Sequence, residues 1–380
     1  MRVLFLTNIP SPYRVDFFNE LGKYCDLTVT FEGEKATDRD SKWISDKFQN
    51  FSAVFLPGIR VRADAFICFG IIRILKQKWD RIIISGYSTP TDMLAIEYLR
   101  SRRIPFYIEA DGGIIGNDKK LVYAMKKHFI SSASEWFSSG VVTTNYLVHY
   151  GADEKRCHMY PFTSLCERDF SYMFKDETGD SEKVVILKKK RALAKKSLEI
   201  KDAKMILAVG QFIHRKGFDL LIQALEGIKG VTTYIVGGKK TEEYESLVEK
   251  HHVGNIFFVD FLTKKQIEQY YLAADLFVLP TREDIWGLVI NEAMMYALPV
   301  ITTDRCVSGL ELVKEGINGH IVPVNNVSLL HDRIESLIKD DERLIDMGIM
   351  AHNSTKGYTI EAMAKAHMRC LREIHDENSK

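Results

Sequence analysis

One alternation constrains this chain more than any other feature. Short runs rich in β-branched residues, each ending in small or polar residues, are separated by stretches of helical length. The runs are RVLFLTN, DLTVTFE, RIIISGY, PFYIEAD and GVVTTN, then MILAVGQ, TTYIVGG, ADLFVLPT and PVITTD, and each reads as a strand. Between them Leu220, Leu221, Ala224 and Leu225 recur at helical spacing after Gly217, as do Ile267, Tyr270 and Tyr271 after Thr263. Such a βαβα rhythm predicts an α/β fold with doubly wound parallel sheets carrying helices on both faces. At 380 residues the chain exceeds the usual size of one domain, so two are expected.

The rhythm breaks once, between residues 170 and 204, where SYMFKDETGDSEK gives way to VVILKKKRALAKKSLEIKDAK. The expected division is an N-terminal Rossmann-like domain over 1–175, a C-terminal one over 176–355, and a final helix over 356–380. That helix, IEAMAKAHMRCLREI, carries Ala362, Met363, Ala366 and Leu371 on one stripe and is expected to pack back towards the N-terminal domain.

Composition narrows the function classes. With 52 basic and 51 acidic residues the net charge is +1, which gives no global case for nucleic acid. The six cysteines are scattered without a close pair, and His251 and His252 point different ways on a helix, so neither a disulfide framework nor a metal site is expected. A cytoplasmic protein is the expectation. The longest apolar stretch, residues 65–75, holds Gly70 and Arg73, falls short of the roughly 20 residues of a membrane span, and reads as a buried helix. The basic run from Lys188 to Lys196 reads first as a solvated helix face, leaving open a peripheral contact with the inner membrane surface.

In doubly wound sheets ligands bind beyond the carboxyl ends of the strands, so the residues just after each strand carry most information. In LPTREDIWGLVINEAMMYALPV a strand ends near Pro280 and a helix begins near Trp286 or Gly287. Asp284 and Glu292 flank that start. The helix is apolar nearly all round, so Glu292 needs hydrogen-bonding partners, and a ribose diol is one. The free N–H groups around Trp286, Gly287 and Leu288 suit a diphosphate, while Asp284 could reach a transferred sugar. The plainer alternative has Glu292 paired inside a core and Asp284 capping the helix. After a second strand, Gly210, Gln211, His214, Arg215 and Lys216 precede Gly217, and two adjacent cations there suit a pyrophosphate leaving group. In the first half, Glu109, Asp111, Gly112 and Gly113 follow a strand, and Ser11, Tyr13 and Arg14 in NIPSPYR could line an acceptor site. No G-x-G-x-x-G follows a strand and no P-loop occurs, which argues against dehydrogenases and P-loop enzymes.

These second-half motifs, with YYLAADLFVLP and residues 319–323, resemble the family-4 retaining glycosyltransferases of the GT-B fold. The resemblance implies two Rossmann-like domains facing across a cleft and a nucleotide-diphosphate sugar as donor co-substrate, with no cofactor and no obligatory metal. It implies a glycan or lipid-linked acceptor and a place in cell-surface polysaccharide biosynthesis. Lys216 with Arg215 would hold the diphosphate, Glu292 the ribose and Asp284 the sugar, with Asp111 as a first-domain contact to that sugar. Asp284 stands where the family's E-x7-E motif has glutamate, and Gln211 where many members have arginine. A non-catalytic sugar-nucleotide-binding partner and a sugar-nucleotide epimerase are the alternative readings.

Overall fold

The computed structural model describes residues 1–35, 47–175 and 178–377. The chain divides into two compact units, Met1–Ser164 with Tyr358–Lys380, and Leu165–Gly357.

The first unit opens with β1 (Arg2–Thr7), α1 (Pro12–Leu21), β2 (Asp26–Phe31), β3 (Ser52–Phe55), and a small hairpin of β4 (Ile59–Arg60) and β5 (Phe66–Ile67). It continues through α2 (Ile71–Leu75), β6 (Arg81–Ile84), α3 (Pro90–Arg102), β7 (Tyr107–Ala110), α4 (Lys120–Ile130), β8 (Glu135–Ser138), α5 (Val141–His149) and β9 (Cys157–Met159). Seven strands pair in the order β3-β2-β1-β6-β7-β8-β9, all parallel, with Leu4 opposite Thr28 on one side and Ile82 on the other.

The second unit begins with α6 (Glu167–Met173) and α7 (Asp180–Ser197), followed by β10 (Lys204–Val209), α8 (Phe218–Ala224), β11 (Val231–Val236), α9 (Glu242–Lys250) and β12 (Ile256–Val259). Then come α10 (Lys264–Ala273), β13 (Leu276–Leu279), α11 (Leu288–Met295), β14 (Val300–Thr303), α12 (Val307–Leu312), β15 (Gly319–Val322), α13 (Val327–Ile338) and α14 (Asp341–Thr355). Its six parallel strands run β12-β11-β10-β13-β14-β15, the Rossmann order, whose reversal between β10 and β13 opens a crevice at their carboxyl ends. Each unit has its own core, Leu4, Ile84 and Ile108 in the first and Ile206, Leu221 and Val278 in the second. Among the described residues no helix is long and apolar enough to cross a membrane.

The last helix, α15 (Ile360–Glu377), belongs to the first unit and packs against α1. Its buried stripe runs through Met363, Ala364, His367, Met368 and Leu371, while Ala362 and Ala366 are only partly covered. The division falls at Ser164 and Leu165, where 175 and 176 were expected, and residue 176 lies outside the described residues. The earlier boundary has a physical cause. Phe170 and Phe174 pack their rings on His352 of α14, and Lys264 of α10 meets Asp169 at 2.9 Å, so this segment is built into the second unit.

Three local expectations are corrected. GVVTTN is not a strand but the start of α5, the strand being EWFS just before it. The β-branched residues there are accommodated because Thr143 pairs with Ser139 and Thr144 with Ser138, both at 2.7 Å, so the hydroxyls tie the helix start to the strand end. Residues 65–75 form no single buried helix. The Phe66 N–H donates to Glu32 at 3.1 Å and the Cys68 N–H to Thr91 at 3.0 Å, which holds the first half extended, and only Ile71–Leu75 is helical. The basic run in α7 is no uniformly solvated face, since Arg191 and Lys195 meet Asp275 at 3.2 and 2.6 Å and Lys190 donates to the Tyr172 carbonyl.

The same Glu32, 1% exposed, also accepts from the Thr89 hydroxyl at 2.5 Å beside Asp92, whose carboxylate caps α3. Burial pushes Glu32 up to about 8 and Asp92 up to about 7, with Asp92 adding repulsion on Glu32. A carboxyl raised in the fold binds more protons there than in the unfolded chain. The stability it contributes is present below the ordinary carboxyl range and is lost as pH rises towards 8. Glu32→Gln is therefore expected to leave the melting temperature nearly unchanged at pH 5 and to raise it at pH 8.5, as measured by thermal unfolding.

Candidate functional site

Beyond β10 the chain leaves the sheet at Gly210, makes one tight turn over His214–Lys216, and reaches Gly217 in the left-handed region at φ 68. A Cβ at 217 would stand 2.1 Å from the Pro280 carbonyl oxygen, so only glycine lets this loop lie against the loop after β13. Hydrogen bonds then stitch the two loops. The Arg215 carbonyl accepts from the Arg282 N–H at 2.8 Å and the Thr281 hydroxyl at 2.9 Å, and Arg282 grips Asp219 with two nitrogens at 2.8 and 2.6 Å.

The stitched loops bring the expected charges together. Lys216 Nζ donates to Asp284 Oδ2, and Arg215 lies 3.6 Å from Asp284 Oδ1 while donating to the Glu283 carbonyl at 2.9 Å. Lys216 and Asp284 side chains are each 11% exposed, whereas Arg215 is 38% exposed. Asp284 does not cap α11. It forms an isolated bridge with Cys306, its N–H donating to the Arg305 carbonyl at 2.8 Å. Gln211 sits half-buried beside Gly210 at the same mouth.

The helix begins at Leu288, after Gly287 at φ 97, where a Cβ would press within 2.9 Å of Cys306 Sγ. Trp286 places its indole in the core, donating to Asn291 at 2.8 Å, so its side chain supports the turn from behind. Leu288 and Val289, by contrast, are half-buried at the first turn, where helix N–H groups have no partner inside the helix. One turn further, Glu292 is half-buried and accepts from the Tyr271 hydroxyl at 2.8 Å. Tyr271, stacked on Tyr296 at 5.2 Å, is raised well above the ordinary phenol range by burial and then by the Glu292 charge, so it remains a donor.

In the first unit, Pro12 starts α1 with Ser11 before it, and this turns Arg14 inward to 4% exposure. Arg14 Nη1 lies 2.7 Å from Glu109 Oε2 and Nη2 donates to Asp111 Oδ1 at 2.6 Å. Tyr160 donates to the same Asp111 oxygen at 3.1 Å. Behind them His367 Nε2 lies 3.1 Å from Glu109 Oε1, and its Nδ1 meets the Met363 carbonyl at 2.9 Å. Tyr13 sets its ring edge-on to Phe162 at 5.7 Å. Ser11, Tyr13, Arg14 and Asp111 therefore belong to one cluster, with Arg14 acting as a clamp on two carboxylates at the end of β7.

Burial pushes Asp111 up to about 6, Arg14 opposing and Glu109 reinforcing, although the side chain keeps 26% exposure. Burial also works on Glu109, but Arg14 and His367 outweigh it and hold that carboxyl below its usual range. Burial raises the Tyr13 phenol as well, with Asp111 adding to it.

Several residues escape sequence reasoning. Arg282 and Asp219 lie 63 positions apart and pair only because Gly217 allows the loops to touch. His367 stands 258 residues from Glu109, and nothing local marks it. Among the described residues no group of three His, Cys, Asp or Glu side chains could hold a metal ion.

Two parallel α/β units, one with Rossmann strand order and a basic loop at its switch point, define a Rossmann-like protein with its candidate site beyond the strand ends. More particularly, residues 189–353, most of the second unit, match the family model described as glycosyl transferases group 1. Over 171 residues, 45% of this chain and 48% of the relative, the sequence is 29% identical to an uncharacterised glycosyltransferase of Methanocaldococcus jannaschii. Over 173 residues, 45% of this chain and 50% of the relative, it is 25% identical to the lipopolysaccharide core biosynthesis glycosyltransferase LpsE of Rhizobium meliloti. The chain spans about half the length of these curated relatives. Among solved structures, the Anabaena protein HepE in complex with UDP superposes with a TM-score of 0.76 at 15% identity, over 100% of both chains. That likeness shows the GT-B fold.

Proposed function

We propose that the chain is a retaining glycosyltransferase that moves a sugar from a nucleotide-diphosphate sugar to a hydroxyl of a glycan or lipid-linked acceptor, in cell-surface polysaccharide biosynthesis. The observation that carries this reading is the convergence of Lys216, Arg215 and Asp284 at the switch point of a Rossmann sheet, next to the half-open first turn of α11. Lys216 and Arg215 take the diphosphate, and the α11 N–H groups add a second donor set for the same charge. Because cations and helix dipoles stabilise the leaving group, no metal is required. Glu292, steadied by Tyr271, accepts from the ribose hydroxyls, and Asp284 accepts from the transferred sugar once Lys216 turns to phosphate.

HepE, which shares this fold, has been solved with UDP and with UDP-glucose, which supports a nucleotide sugar as donor here too. The function of LpsE supports a surface glycan as product. Thermal shift with UDP-, GDP- and ADP-sugars tests the reading. A ligand at a hundred times its Kd stabilises the fold by about 2.7 kcal/mol, and Glu292→Gln should cut that shift while leaving the ligand-free melting temperature near wild type. No shift with any donor, together with no release of sugar, would sink the proposal.

A further inference from the structure

The last helix of the chain reaches the strand-end cluster of the first unit through one side chain. His367 of α15 is fully buried, its ring stacked on Phe137 at 4.3 Å and tilted against Tyr160 at 4.6 Å and Phe17 at 4.9 Å. Both ring nitrogens meet oxygens that only accept. Nδ1 lies 2.9 Å from the Met363 carbonyl, one turn back on the same helix, and Nε2 lies 3.1 Å from Glu109 Oε1. A carbonyl has no proton to give, and Glu109 is held ionised despite its burial, so each nitrogen must carry its own proton to bond. The ring is then an imidazolium among three aromatic rings, with Glu109 as its counter-charge. Packing alone does not call for it, since an apolar side chain would fill a space between Phe17 and Phe137 without burying a charge.

The extra proton has a consequence at Asp111. Arg14 faces two carboxylates, 2.7 Å from Glu109 Oε2 and 2.6 Å from Asp111 Oδ1. With His367 charged, two cations balance two carboxylates. With it neutral, Arg14 alone faces both, and the proton that relieves the excess goes to Asp111, the carboxyl already raised by burial and by Glu109. The other titratable groups facing the cluster are Tyr13 from α1 and Tyr160 from the segment after β9, both phenols kept neutral by burial. On α15 itself Lys365 and Arg369 are exposed.

We propose that His367 is a positioning residue: as an imidazolium it takes up the charge of Glu109 and so leaves Arg14 to hold Asp111 ionised and in place. Its effect on transfer rests on the reading of Asp111 as a contact to the donor sugar, whereas its effect on the charge of Asp111 stands without that reading.

Two measurements on the full chain keep these apart. NMR of protein carrying isotope-labelled histidine reads the ring directly, and the carboxyl shifts of isotope-labelled aspartate read the Asp111 titration midpoint, assigned through Asp111→Asn. At neutral pH both His367 nitrogens should be protonated. In His367→Asn, whose amide still donates to Glu109 without charge, the Asp111 midpoint should rise by about one pH unit, and transfer should fall about fivefold at pH 6 while staying within about twofold of wild type at pH 8.5. A loss of packing alone would lower transfer at every pH and leave the midpoint where it is. Should that variant fold too poorly to titrate, Glu109→Gln supplies the converse: His367 should lose one ring proton at neutral pH, and the Asp111 midpoint should fall. A neutral His367 in the wild type, an Asp111 midpoint indifferent to His367→Asn, or a ring that keeps both protons in Glu109→Gln would each overturn the proposal. A midpoint that moves while the acid limb of transfer stays put supports it, and places the failure in the part given to Asp111 in transfer.

Discussion

Lys216→Ala is expected to lower glycosyl transfer by about 10²- to 10³-fold, because it removes a cation from the charge that grows on the leaving diphosphate. The structure complicates the test. Lys216 donates to Asp284, a carboxylate only 11% exposed, and Arg215 at 3.6 Å is its remaining cation. Deleting one partner of a buried pair leaves the other charge uncompensated, at a cost of about 3–5 kcal/mol when burial is complete and less here. A melting-temperature drop in Lys216→Ala is therefore expected too, and activity alone would not separate the two causes. The double variant Lys216→Ala with Asp284→Asn removes both charges. It should regain most of the stability, and its turnover should fall well below that of Asp284→Asn alone, which sets the baseline because Asp284 is itself placed at the transferred sugar. If the double variant turns over as fast as Asp284→Asn, Lys216 acts only through the fold and its role at the diphosphate fails.

The same pair shows what the chain reveals without coordinates. The strand ends are legible because a parallel strand buried on both faces is continuously apolar and must stop at a small or polar residue, as at Gly210 and Pro280. Ligand chemistry gathers at those ends, so Arg215, Lys216 and Asp284 can be placed in one region from position alone. Their direct contact cannot. It depends on Gly217 lying against Pro280, a tertiary fact with no local periodicity. The misread strand GVVTTN fails for the complementary reason. β-branched residues favour strands only weakly, and hydroxyl pairs from Ser138 and Ser139 to Thr144 and Thr143 favour the helix instead. In the first unit Asp111 is legible as a strand-end carboxylate, whereas His367 reaches Glu109 from the far end of the chain.

Asp111→Asn is the second large expected effect, and its signature is a pH profile. With its carboxyl pushed up to about 6, Asp111 is ionised above that pH and increasingly protonated below it. If the ionised oxygen is needed for transfer, wild-type activity should fall about tenfold per pH unit below 6. The asparagine variant should be slow throughout and lack that acid limb. Its fold should survive, because an amide oxygen can still accept from Arg14 and Tyr160, which hold Asp111 at 2.6 and 3.1 Å. Arg14→Met makes the contrast. It strands two carboxylates in the interior, Glu109 among them at 1% exposure, and is expected to cost several kcal/mol, about 3–5 by analogy with other broken buried pairs. A variant that melts early says only that the clamp is structural. Asp111→Asn, folded and stripped of the acid limb, ties the clamp to chemistry, and an acid limb that persists in it would assign that titration to another group.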